Sequence, residues 1–93
     1  MFLKQSVEIN ASSLYENAML QAVIARLDLT QTFCELAQMA KSLQNRERHL
    51  DHACKSYSEA QSILTHIQLE PDSEREVQCR CDALVILLAK AAA

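Results

Sequence analysis

Small or apolar residues recur at steps of three or four along the first half of the chain: Leu14, Ala18, Ala22, Ala25, Leu29, Phe33, Leu36, Ala40 and Leu43. That spacing keeps them on one side of an α-helix. A second row, Tyr15, Met19, Val23, Leu27 and Thr30, runs beside the first. It widens the apolar face to what a helix needs when it packs against two others. Asp and Thr are mediocre helix formers, so Asp28-Leu29-Thr30 is a candidate break. The stripe keeps its phase across those residues, which predicts one long helix over 13–44. Ser13 and Glu16 have the N-cap and N3 spacing of a capping box. Residues 1–11 carry no helical stripe and show only a short Val7-Glu8-Ile9 alternation, which reads as an extended arm ahead of a domain over 12–93.

The next stripe is Leu50, Ala53/Cys54, Tyr57, Ala60/Gln61, Leu64 and Ile67, a second helix of roughly 46–68. Periodicity alone also permits a helix continuous with the first, because steps through residues 47, 50, 54 and 57 keep phase from Leu43. A hairpin turn at Asn45 is the favoured reading, since Asn tolerates the left-handed conformation that ends helices. Pro71 predicts the end of the second helix near Leu69. Ser73 and Glu76 repeat the capping-box spacing, and Val77, Cys81, Leu84, Leu88 and Ala91 form the stripe of a third helix. The expected architecture is an all-α, antiparallel three-helix bundle with a long first helix.

Composition narrows the function classes. The 93 residues include no Gly, which removes the P-loop, the Rossmann fingerprint and the nucleophile elbow, all of which need backbone that Gly alone tolerates. Net charge is −3, with nine Lys and Arg. Neither nucleic acid nor an anionic membrane surface is an expected partner for such a chain. The longest apolar run, Ala83 to Ala89, is far short of a membrane span, and the N-terminus does not have the pattern of a signal peptide. The expectation is a soluble cytoplasmic protein.

Candidate chemistry is sparse. Cys34, Cys54, Cys79 and Cys81 include no C-x2-C pair, and a C-x-C on a helix points its two sulfurs about 200° apart. We expect Cys34, Cys54 and Cys81 to be buried as small hydrophobes and Cys79 to lie nearer the surface. His49 and His52 have a helical spacing that can chelate a metal, with His49 at the border of the stripe and His52 on the solvent face. They are the basis of an alternative function, histidine phosphotransfer or metal binding by a regulatory bundle. Arg46, Arg48, His49 and Lys55 form a small basic cluster that reads as a solvated helix end. The carboxylates fall at helix starts (Glu16, Glu74, Glu76) or on outer faces (Glu35, Glu59). No catalytic residue, metal site or cofactor is expected.

Ala53, Tyr57 and Ala60, preceded by Phe33, Leu36, Ala37 and Ala40, resemble the helical hairpins of tetratricopeptide (TPR) repeats and of MIT domains. The MIT likeness covers about residues 20–92. It implies a module that accepts a peptide in a groove between its second and third helices, with Tyr57, Leu64, Leu84 and Leu88 as groove candidates.

From the residues themselves, the segment Leu84-Val85-Ile86-Leu87-Leu88 is apolar nearly all round, more than one core face requires. Ile63 falls on the otherwise polar outer face of the second helix. Ile63, Val85, Ile86 and Leu87 are therefore the expected partner-binding residues of a non-catalytic protein-interaction module. Its partner would be another helical protein or a second copy, as in a homodimer.

Overall fold

A computed structural model describes the backbone of residues 2–93 and the side chains of residues 14–93. Over 2–13 only the backbone is described, and it is helical, so the extended arm expected over 1–11 and the helix start expected at Ser13 are both replaced by a helix that begins at Phe2. Three helices follow one another: α1 (Phe2–Met39), α2 (Leu43–Leu64) and α3 (Pro71–Ala92). They form an all-α bundle in which α1 packs against both others, while α2 and α3 meet less extensively. Thr30 faces Ser56, and Arg26 faces Glu59, so α1 and α2 run antiparallel. Asp28 pairs with Arg80 near the middle of α1, and Arg46 meets Ala91 at the far end, which sets α3 parallel to α1 and antiparallel to α2.

The chain reverses without any left-handed residue; no described residue has a positive φ. Ala40-Lys41-Ser42 make the first turn, earlier than the expected turn at Asn45. The reason is local. The extended Ser42 caps α2, its hydroxyl accepting the Asn45 N–H at 3.1 Å. Asn45 thus sits inside the first turn of α2, and Leu43 opens that helix instead of closing α1.

Helix α2 also ends before the expected position near 68. Thr65 donates its N–H to the Gln61 carbonyl at 3.1 Å and its hydroxyl to the Ser62 carbonyl at 2.7 Å; the His66 N–H reaches the Ile63 carbonyl at 3.0 Å. These bonds satisfy the orphan carbonyls of the helix end. Pro71 does not terminate α2. It is the first residue of α3, where its missing N–H costs nothing and its fixed φ is already helical. Glu70, not Ser73, is the N-cap. It makes no side-chain cap bond, and Asp72 and Glu74 place negative charge in the first turn.

Two buried clusters hold the bundle. The larger contains Val23, Leu27, Ala60, Val77, Cys81 and Leu84. The smaller contains Cys34, Ala37, Ala53 and Ala91. Between them, Thr30 and Ser56 are buried and share a 2.8 Å hydrogen bond. Thr30 Oγ1 also lies 2.9 Å from the Arg26 carbonyl, and Ser56 Oγ lies 3.0 Å from the Ala53 carbonyl, so neither hydroxyl is left without a partner. Arg46 closes the far end. Its Nε and Nη2 donate to the Ala91 carbonyl at 3.0 and 2.7 Å, and Nη2 also donates to that of Ala93. A cation on the last carbonyls of α3 complements the helix dipole.

Candidate interaction surface

Helix α1 carries apolar residues on two faces, and the long row expected to face the core is not the one turned inward. Val23, Leu27, Thr30, Cys34 and Ala37 are all essentially inaccessible. The row from Leu14 to Leu43, expected to face the core, lies largely outside. Of that row Leu14, Leu29 and Leu36 are 67, 48 and 39% exposed, and Tyr15 of the second row and Met39, which belonged to neither, lie outside with them at 61 and 76%. Ala18 and Ala25 are exposed as well, while Ala22 and Phe33 are half-buried. The inward face is set by side-chain size. Helix α2 presents Ala53, Ser56 and Ala60 to the bundle, and such small residues bring two helix axes close together. Thr30, Cys34 and Ala37 fit that narrow gap, whereas Leu29, Phe33 and Leu36 would overfill it.

Polar groups border the outer row. Asp28 pairs with Arg80 on one flank, where Gln31 Nε2 also donates to Glu35 Oε1 at 3.1 Å. On the other flank Arg26 Nε lies 3.9 Å from Glu59 Oε2. The described part of α1 is therefore an apolar strip with charged edges already tied down by α2 and α3.

The expected partner-binding residues divide. Val85 and Ile86 are 51 and 59% exposed on α3. Ile63, expected on the outer face, is half-buried against the larger cluster, and Leu87 is half-buried between both clusters. The groove candidates are core residues to varying degree. Leu84 is buried, Tyr57 and Leu64 pack on the larger cluster, and Leu88 packs on the smaller. Leu14, Leu29, Leu36 and Met39 were absent from the sequence-derived site. The signal for them was present, since α1 carries two apolar rows where a surface helix has one, but nothing in the pattern says which row is surplus.

The thiols and imidazoles have defined surroundings. Cys34 and Cys81 are buried, Cys54 and Cys79 are exposed, and all four are free; the expected burial of Cys54 is corrected. It stands one position around the helix from the buried Ala53, outside the contact with α1. Burial pushes the Cys34 thiol above its ordinary range, and Cys54 and Glu35 add to the shift. Burial does the same at Cys81, opposed in part by the hydrogen bond from Gln61 Nε2 at 3.4 Å. Such thiols stay protonated, the unreactive form.

The Phe33 ring stacks on both imidazoles, its centroid 5.0 Å from that of His52 and 6.3 Å from that of His49. His52 is exposed, and His49 Nδ1 is buried with no hydrogen-bond partner. Among the described residues no three His, Cys, Asp or Glu side chains gather as a metal would need.

A cleft of about 360 Å³ lies where the end of α2, the connector and the start of α3 meet. Gln61, Leu64, Ile67, Glu74, Val77 and Gln78 are among its walls, and Glu74 is its one ionisable group. No helix among the described residues is long and apolar enough to cross a membrane.

The chain matches no protein-family model, no curated protein and no solved structure.

Proposed function

We propose that this protein is a non-catalytic helical interaction module, an adaptor or a self-associating subunit, that binds protein partners through an apolar helix face. One observation carries the reading. The outer row of α1 leaves five large apolar side chains uncovered by the rest of the bundle, Leu14, Tyr15, Leu29, Leu36 and Met39, with exposed Ala18 and Ala25 between them. Val85 and Ile86 on α3 form a second, smaller patch. A monomer of this size gains nothing from leaving five large apolar side chains of one helix in water. Uncovered apolar area of this kind marks surfaces that other proteins cover.

The proposed partner is another helix, either of a second copy or of a foreign protein, because a straight strip about one helix wide suits a helix lying along it. The module acts in the cytoplasm in this reading, and four free thiols support a reducing compartment.

Photo-crosslinking in the native cell tests the reading. A benzophenone side chain is placed at Leu36 or Ile86, with Lys55, exposed on the polar side of α2, as control. Covalent adducts with protein at Leu36 in excess of the Lys55 control are the expected result. Equal, background labelling at all three positions defeats the proposal.

A further inference from the structure

The outer row of α1 keeps a strict seven-residue repeat. Tyr15, Ala22, Leu29 and Leu36 are one set; Ala18, Ala25, Thr32 and Met39 are the other, and the steps between them alternate three and four. Seven of these eight residues are exposed, and Ala22 is half-buried. A repeat of 3.5 residues is the seam of a two-helix coiled coil.

We infer that the occupant of this seam is the same seam of a second copy, the two α1 helices running antiparallel about a two-fold axis level with Leu27. The inference rests on the interaction-module reading and specifies its partner. An antiparallel pair brings one set opposite the other. About Leu27, Ala18 meets Leu36 of the second copy, Ala25 meets Leu29, Ala22 meets Thr32, and Tyr15 meets Met39. Each central layer then holds one alanine and one larger side chain, so the layers have nearly even thickness and interdigitate without voids. A parallel pair would stack Ala18, Ala22 and Ala25 on themselves at one end and Leu29 and Leu36 on themselves at the other. It would be loose in one half and crowded in the other.

The edges of the seam agree. Met19 of one copy falls beside Phe33 of the other, both half-buried and apolar, and Gln21 falls beside Glu35. The two Arg26 side chains, and on the other flank the two Asp28 side chains, approach near the axis. Each is already paired within its own bundle, with Glu59 and Arg80, which damps the repulsion.

Size fits as well. Leu14, Tyr15, Leu29, Leu36 and Met39 leave roughly 500 Å² open per copy, taking about 150–200 Å² for a whole large side chain. Doubled by symmetry, that reaches the ~1,000 Å² of a specific interface, at the modest end of the range.

Sedimentation equilibrium from about 1 to about 100 µM should show a species of twice the chain mass growing with concentration. Leu29→Glu/Leu36→Glu should return it to a single chain with helical circular dichroism intact, because both residues lie outside the core.

Orientation is read by disulfide trapping in a Cys54→Ser/Cys79→Ser background. A mixture of Ala18→Cys and Leu36→Cys chains should form the mixed disulfide. Ala18→Cys alone should form none, its two copies lying about 27 Å apart along the axis. A homodisulfide of Ala18→Cys, or a wild type that stays monomeric at about 100 µM, overturns the inference. In the monomeric case, the Leu36 photo-adduct separates the two claims. A foreign protein attached there leaves the interaction reading standing, and no adduct removes both.

Discussion

The inner and outer faces of α1 share one helix and nearly the same period, yet have opposite fates. The inner face holds Val23, Leu27, Thr30, Cys34 and Ala37 and is closed to water. The outer face holds Leu14, Leu29, Leu36 and Met39 and stays open. The spacing of apolar residues alone favoured the outer row as the core face. Burial followed fit: α2 offers Ala53, Ser56 and Ala60, and Thr30, Cys34 and Ala37 are small enough to come close there, while Val23 and Leu27 fill the space towards α3. The larger side chains that remained outside are what a second protein would use.

Truncation gives the largest contrast. Leu27→Ala should lower unfolding free energy by about 2–5 kcal/mol, because it opens a cavity between all three helices. Leu29→Ala, two residues away, should change it by no more than about 0.5 kcal/mol when urea denaturation is followed on dilute, unassociated protein. Comparable losses at the two positions would erase the distinction between the faces.

Enlargement sharpens the explanation from size. Ala53→Leu forces bulk into the α1–α2 gap and should cost about 1–3 kcal/mol. Ala25→Leu, on the outer face, should leave the stability of the single chain within about 0.5 kcal/mol. Thermal melts of the two variants at matched low concentration check this.

The buried hydroxyl pair tests how far polarity helped to select the inner face. Thr30→Val and Ser56→Ala should each cost about 1 kcal/mol, since each leaves a buried hydroxyl with a partner missing. The double variant should cost less than the two together, with the coupling measured by a double-mutant cycle. Strict additivity would show that the 2.8 Å contact contributes nothing.

The smallest effect is in the thiols. Cys54 and Cys79 should react with a thiol reagent in the native state, and Cys34 and Cys81 only when the bundle opens. Burial raises the folded-state pKa of Cys34 and Cys81 above the unfolded value. Between those two values the unfolded chain binds fewer protons, so stability is intact below the ordinary thiol range and declines as pH rises through it. Denaturation midpoints from neutral to alkaline pH should fall less steeply in Cys34→Ala than in wild type, once the shared loss is referenced to neutral pH.

Much of the fold was legible in the chain. Helical periodicity, the lack of Gly and the wealth of Ala and Leu led to three helices with the first one long, as found. The helix ends were less legible. Ser42 outcompeted Asn45 because a hydroxyl that accepts an N–H directly starts a helix, whereas a left-handed Asn was not required once the turn closed without positive φ. Pro71 was readable as a boundary, but a proline suits the first residue of the following helix as well as it forbids continuation of the preceding one. Of the expected interface, Val85 and Ile86 remain at the surface. Ile63 and Leu87 do not, because the α2–α3 connector folds Ile67 and Leu69 back onto the same cluster that Ile63 and Leu87 join.

Backbone preference and the three-to-four spacing of apolar residues act within one turn of helix, so the residues alone determined that this protein is made of helices and where each roughly lies. Which side of α1 goes inward depends on the gap left by a helix some thirty residues further on. That gap is defined by the sizes of Ala53, Ser56 and Ala60 as they meet Thr30, Cys34 and Ala37 in space. Close packing is a relation between surfaces, and only the assembled bundle could choose it.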